Sequence, residues 1–187
     1  MAVISRRPRL TLCMILTLSL IAAACSLVKP VEAPVDKQTR ARTLASAGKH
    51  AEAAQIYAEL ASQAPAEHDN YELLSAEQWA AAGNIAEAKQ ALAAVSAEGR
   101  STLATSRALV AAEIALAESD GARAIRELDS IGVPTAADLA QNYWYIRGRS
   151  SFLTAHPVEG TRAFVERERY LADTAGLRAS REELFNL

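Results

Sequence analysis

Ala82-Gly83-Asn84-Ile85-Ala86-Glu87-Ala88-Lys89-Gln90-Ala91-Leu92 has a near copy upstream, Ala47-Gly48-Lys49-His50-Ala51-Glu52-Ala53-Ala54-Gln55-Ile56-Tyr57. Each reads as a turn followed by a helix: a glycine in the turn, a small residue five positions on, a bulky apolar residue four later. Weaker copies start at Ser119, with Ala124 and Leu128, and near Gly160, with Phe164. The small residues Ala53, Ala88, Ala124 and Gly160 are therefore spaced 35, 36 and 36 residues apart. A second small series, Ala41, Ala76, Ala112 and Gly148, runs twelve residues ahead of the first in every copy. Two helices that cross closely need small side chains at the crossing, because a larger one would hold the axes apart. Two series in phase over four copies thus predict helix-turn-helix repeats with a period near the tetratricopeptide value of about 34 residues. The expected fold is all-α, a tetratricopeptide-like helical-repeat solenoid of about four helix pairs plus a truncated final helix.

Taken in order, the first pair carries Leu44, then Ala53, Ile56, Tyr57 and Leu60 at helical spacing, and closes at Pro65. Asp69 is placed to cap the next helix, with Tyr71, Leu74 and Trp79, whose partner holds Ala88, Leu92 and Val95. Ser96 to Thr102 reads as a loop. The third pair sets Leu109, Val110 and Ile114 against Ile125, Leu128 and Ile131 across the turn Ser119-Asp120-Gly121. The fourth contains Trp144 and Gly148, four apart, which match the opening Trp and Gly of the tetratricopeptide consensus, and Pro157 begins its second helix. Trp79 and Trp144 read as core. A last helix is expected over Arg178 to Leu187, ending in the apolar Leu184-Phe185-Asn186-Leu187. A repeat stack normally ends in a polar cap, so the reading is that the sequence is a fragment of a longer protein.

The amino end follows a different pattern. Arg6, Arg7 and Arg9 precede an uncharged apolar run, Leu10 to Ala24, of fifteen residues. That falls short of the roughly 20 residues needed to span a bilayer and suits a cleaved signal peptide over residues 1–24. The run ends Ala22-Ala23-Ala24-Cys25-Ser26, small residues directly before a cysteine, which resembles the lipobox of bacterial lipoproteins. Cys25 is the expected lipid-attachment residue, carrying a diacylglyceryl thioether and, after cleavage, an acylated amino group (palmitate-type chains). Several acyl chains, at about 0.8 kcal/mol per buried CH2, make a stable anchor. Ser26 after the cysteine is similar to lipoproteins sent to the outer membrane. Residues 25–36, with Pro30 and Pro34, read as lipidated cysteine and tether, reaching at most about 35 Å, and residues 37–187 as the repeat domain.

Composition excludes several classes. The 187 residues are half hydrophobic and 22% charged, with a net charge of −2, a near-neutral balance that argues against nucleic acid, which calls for a clustered basic face. Cys13 and Cys25, the two cysteines, both lie in the first 25 residues, so neither a disulfide scaffold nor a metal site is expected in the folded part. His50, His68 and His156 are scattered near turns and read as solvated. No nucleophile motif, phosphate loop or HExxH is present, so no catalytic residue, cofactor or metal is assigned and the chain is read as a non-enzyme. Glu166, Glu168, Glu182 and Glu183 among arginines read as a salt-bridged helix surface.

The first helices of such repeats line a groove. In the tetratricopeptide register one groove-facing position holds Arg42, Glu77, Glu113 and Arg149, another Asn70, Ser106 and Asn142, and a third Tyr145 and Phe152. Asn70, Glu77, Glu113, Asn142, Tyr145 and Arg149 are the candidate partner contacts, able to grip an extended peptide or a helix.

The lipobox, the short tether, the repeats and the helices at Leu73-Leu74-Ser75-Ala76-Glu77, Arg107-Ala108-Leu109-Val110-Ala111-Ala112-Glu113 and Tyr143-Trp144 together resemble the amino-terminal half of the penicillin-binding-protein activator lipoproteins of the LpoA type. That resemblance implies an outer-membrane lipoprotein, facing the periplasm, that serves peptidoglycan biosynthesis and cell shape. The implied partner is a bifunctional penicillin-binding protein of the inner membrane, activated by protein–protein contact. It also implies a following periplasmic-binding-protein-like domain. The alternative is a tetratricopeptide lipoprotein scaffold in outer-membrane protein or secretin assembly.

Overall fold

The computed structural model describes residues 33–96, 98–99, 103–171 and 174–187. The expected signal peptide, Cys25 and most of the tether lie outside them. Pro34–Leu187 is one compact unit. Among the described residues the elements are α1 (Pro34–Ser46), α2 (His50–Gln63), a 3-10 turn (Pro65–Glu67), α3 (His68–Ala81), α4 (Ile85–Ala94), α5 (Ala104–Ala117), α6 (Gly121–Asp129), α7 (Ala137–Leu153), α8 (Pro157–Glu168) and α9 (Thr174–Phe185). All are helical. Pro34, Val35 and Asp36, read from sequence as tether, form the first turn of α1, where proline lacks no needed N–H and Asp36 meets the positive helix end. α9 likewise begins four residues before its expected start.

Helices pack as sequence neighbours: α1 on α2, α3 on α4, α5 on α6, α7 on α8. Each second helix also packs on the next first helix (α2 on α3, α4 on α5, α6 on α7), and first helices meet at α3–α5 and α5–α7. The apolar clusters follow this scheme. One joins Ala41 of α1 and Ile56, Tyr57 and Leu60 of α2 to Tyr71 of α3. The next joins Leu73, Ala76, Ala88 and Ala91 to Val110 and Ile114 of α5, and the third joins Leu109, Ala112, Ala124 and Leu128 to Tyr143 and Ile146 of α7. Every member of the two small-residue series is buried, and the six alanines have no accessible surface at all. Trp79 and Trp144 pack against these clusters as core residues.

The four turns between paired helices are copies of one structure. Gly48, Gly83, Ser119 and Ala155, again 35, 36 and 36 apart, all take left-handed backbone, with φ of 75°, 78°, 61° and 60°. The N–H of the residue after each bonds back to a carbonyl five residues earlier: Lys49 to Leu44, Asn84 to Trp79, Asp120 to Ala115, and His156 to Ser151, at 2.8–2.9 Å. This is the Schellman closure of a helix end. In the third turn the left-handed position therefore belongs to Ser119 and not to the glycine of Ser119-Asp120-Gly121. Gly121 instead begins α6, where a Cβ would lie 2.7 Å from the Ser150 carbonyl oxygen of α7. Asp120 caps α6 by accepting from the Arg123 N–H at 2.9 Å.

Asp69 does not cap its own helix. Its carboxylate accepts from the Ser96 N–H (2.8 Å) and hydroxyl (2.6 Å), and the Gly99 N–H donates to Ser96 Oγ (3.0 Å), so Asp69 fastens the chain that follows α4.

Candidate functional site

Four of the designated positions come together, whereas Phe152, expected to face the groove, packs against Gly160 and Phe164 in the α7–α8 crossing. Asn70, Glu77, Ser106 and Asn142, from α3, α5 and α7, line one cavity of about 440 Å3. Its floor is apolar (Tyr71, Leu73, Leu74, Leu109, Val110, Leu139), and its polar rim adds Gln38, Glu67 and Asp138. Two asparagine amides and a serine hydroxyl offer both donors and acceptors, as an extended peptide backbone requires. The charged groups on the rim, Glu67, Glu77 and Asp138, are all acidic.

Glu113 lies beyond the cavity lining, one repeat along from Glu77 on the neighbouring first helix. Burial, and then the charge of Glu77, push the Glu113 carboxyl up to about 7. Its Oε2 is buried with no hydrogen-bond donor among the described residues. Glu77 is raised too, by burial, with His50 opposing. His50 is half-buried and bonded to Gln78 Oε1 at 2.9 Å, and His68 is half-buried with Nδ1 3.2 Å from the Ala61 carbonyl, so neither is the solvated histidine expected; His156 is exposed. Arg42, first in the row, is exposed, and its charge opposes the burial that raises the Tyr57 hydroxyl. The Tyr57 ring stacks on Tyr71, centroids 6.4 Å apart.

Tyr145 and Arg149 form a second group at the far end of the row. Arg149 donates to Glu183 Oε1 at 3.1 Å, and Arg167 of α8 stands 3.6 Å from Glu183 Oε2. The Arg167 guanidinium lies over the Tyr145 ring at 4.7 Å. Burial first, and then the Glu183 charge, raise the Tyr145 hydroxyl. Glu166, Glu168 and Glu183 are all ion-paired, Glu166 with Arg169 and Glu168 with Arg181, as their arginine-rich setting implied. The particular meeting of Glu183 with Arg149 and Arg167 is not legible in that composition. The available signal was spacing: Glu183 lies 34 residues after Arg149, about one repeat.

Among the described residues no group of three or more His, Cys, Asp and Glu is placed to hold a metal, and no helix is long and apolar enough to cross a membrane. Comparison with known protein families, curated proteins and solved structures gives no match. The site is therefore defined by its own geometry: an acid- and amide-lined cavity over the first helices, with Arg149, Arg167 and Glu183 as a separate cluster.

Proposed function

We propose that this chain is a lipid-anchored, non-enzymatic binding protein with a tetratricopeptide-like solenoid, serving at the periplasmic face of the outer membrane as a regulator of peptidoglycan synthesis. In this reading the acylated Cys25 holds the repeats near the membrane, and the groove lined by Asn70, Glu77, Ser106 and Asn142 grips a partner segment. The partner is a bifunctional penicillin-binding protein, activated by contact. The observation that carries the reading is the pairing, in one chain, of the lipobox Ala22-Ala23-Ala24-Cys25 with four copies of one Schellman-closed helix pair. A stack of such pairs presents an extended surface suited to binding.

Labelling cells with radioactive palmitate tests the anchor. The wild-type chain is expected to take up label and Cys25→Ala to take up none; an unlabelled wild type ends the lipoprotein reading. Deleting the gene and following glycan-strand synthesis and β-lactam sensitivity tests the regulation, and no change in either counts against it.

The acid- and amide-lined cavity suits any extended segment, which favours a second reading as a scaffold for outer-membrane protein or secretin assembly. Envelope crosslinking separates the two, according to whether a synthase or a barrel protein is captured.

A further inference from the structure

The Glu183 carboxylate is held between two arginines. Each of its oxygens meets a guanidinium from a different helix: Arg149 of α7 at 3.1 Å and Arg167 of α8 at 3.6 Å. The Tyr145 ring braces Arg167, whose guanidinium lies 4.7 Å from the ring centroid. The guanidiniums are partly withdrawn from solvent, their side chains 38% and 17% exposed. With the carboxylate removed, two like charges would face one space, so the site demands an anion.

The anion it holds comes from the least embedded helix. α9 packs chiefly on α8, and no α9 residue belongs to any of the three apolar clusters. Ser180 of α9 is buried, and its hydroxyl has no partner among the described residues. Phe185 is 91% exposed. Among the described residues, the ion pair that holds α9 besides those of Glu183 is Arg181 with Glu168, at 2.9 Å on the surface, and exposed pairs of that kind contribute little. Glu183 thus ties α9 to both α7 and α8 through a single carboxylate between two arginines.

We propose that Arg149, Arg167 and Tyr145 form a receptor for a peptide carboxylate, closed in cis by Glu183, which an incoming carboxylate displaces. The inference is independent of which envelope partner the protein serves. Exchange of one carboxylate for another conserves every charge-assisted contact, so the competition is set by the local concentration of Glu183, which its attachment makes high. Removing Glu183 should therefore open the site.

The test measures fluorescence polarisation of three labelled peptides on the full chain in detergent micelles. The peptides are Ser-Ala-Ser-Ala-Ala with a free terminal carboxylate, the same peptide amidated, and the amidated peptide with glutamate as its last residue. Glu183→Gln, which keeps the side-chain shape, and Glu183→Ala should bind the free acid at least tenfold more tightly than wild type. Adding Arg149→Ala should abolish the gain. The plain amide should bind none of them, and the glutamate peptide shows whether a side-chain carboxylate serves as well as a terminal one. Helical circular dichroism verifies that each variant is folded. Equal binding of acid and amide, or no tightening in the Glu183→Gln chain, would overturn the proposal. In wild type, excess free-acid peptide should speed hydrogen exchange in α9 over that in α7, and an unchanged α9 counts against displacement.

Discussion

Gly148 and Gly160 meet where α7 and α8 cross: a Cβ on Gly148 would lie 3.4 Å from the Gly160 carbonyl oxygen, and a Cβ on Gly160 3.2 Å from that of Gly148. The same hypothetical atoms would stand 2.6 Å from the rings of Phe164 and Phe152 respectively. These are the fourth members of the two small-residue series, and the contact gives the series its physical cause. Alanine suffices at the other crossings, whereas two phenylalanine rings at this one leave room only for glycine.

Gly148→Ala should accordingly destabilise the fold by about 1–3 kcal/mol through overpacking, despite the roughly 1 kcal/mol that alanine gains over glycine in helix propensity. Phe164 is fully buried and cannot yield, whereas Phe152 is half-buried. Gly160→Ala should therefore cost less. Urea unfolding of the two variants measures the order, and a Gly148→Ala chain as stable as wild type would contradict the crossing.

The four left-handed turn residues offer an internal control. Ser119 and Ala155 hold φ near 60° without being glycine, at a cost of roughly 1–2 kcal/mol each. Ser119→Gly and Ala155→Gly should each raise stability by up to about 1 kcal/mol. Gly48→Ala and Gly83→Ala should lower it by a similar amount through backbone strain, since nothing lies within 4 Å of a Cβ at either place. Thermal melts that move all four variants in one direction would refute the shared turn geometry.

Glu113 makes stability depend on pH with a defined sign. Its carboxyl titrates at about 7 in the folded chain against an ordinary 4.5, so between those values the folded state holds more protons than the unfolded. Stability then falls as pH rises from 4.5 through 7, by on the order of 2–3 kcal/mol, and Glu77 adds in the same direction. Glu113→Gln should match wild type near pH 4.5 and exceed it at pH 8. Melting curves of the two that run parallel from pH 5 to 8 would show that this carboxylate keeps its solvent in the folded chain.

Two buried serines should respond oppositely to alanine. Ser75, on α3, donates to the Ala54 carbonyl of α2 at 3.1 Å, and losing that bond should cost about 1 kcal/mol. Ser150 is equally buried, but its hydroxyl has no partner among the described residues. Ser150→Ala should be neutral or stabilising by up to about 1 kcal/mol, because an unsatisfied buried hydroxyl is removed. Chemical denaturation of both variants side by side decides it.

The sequence by itself determined the helix pairs, their 35- and 36-residue spacing and the crossing residues. Each rests on contacts within about twenty positions, where helical period and side-chain size act directly. It also placed Asn70, Glu77 and Asn142 on one face, since repeats in phase carry equivalent positions to equivalent places. Tertiary structure alone decided that Asp69 would fasten Ser96, that Glu113 would lose its solvent beside Glu77, and that Glu183 would settle between Arg149 and Arg167. These depend on how far each helix pair is rotated upon the next, an angle fixed by the combined packing of many side chains and written in no short stretch of the chain.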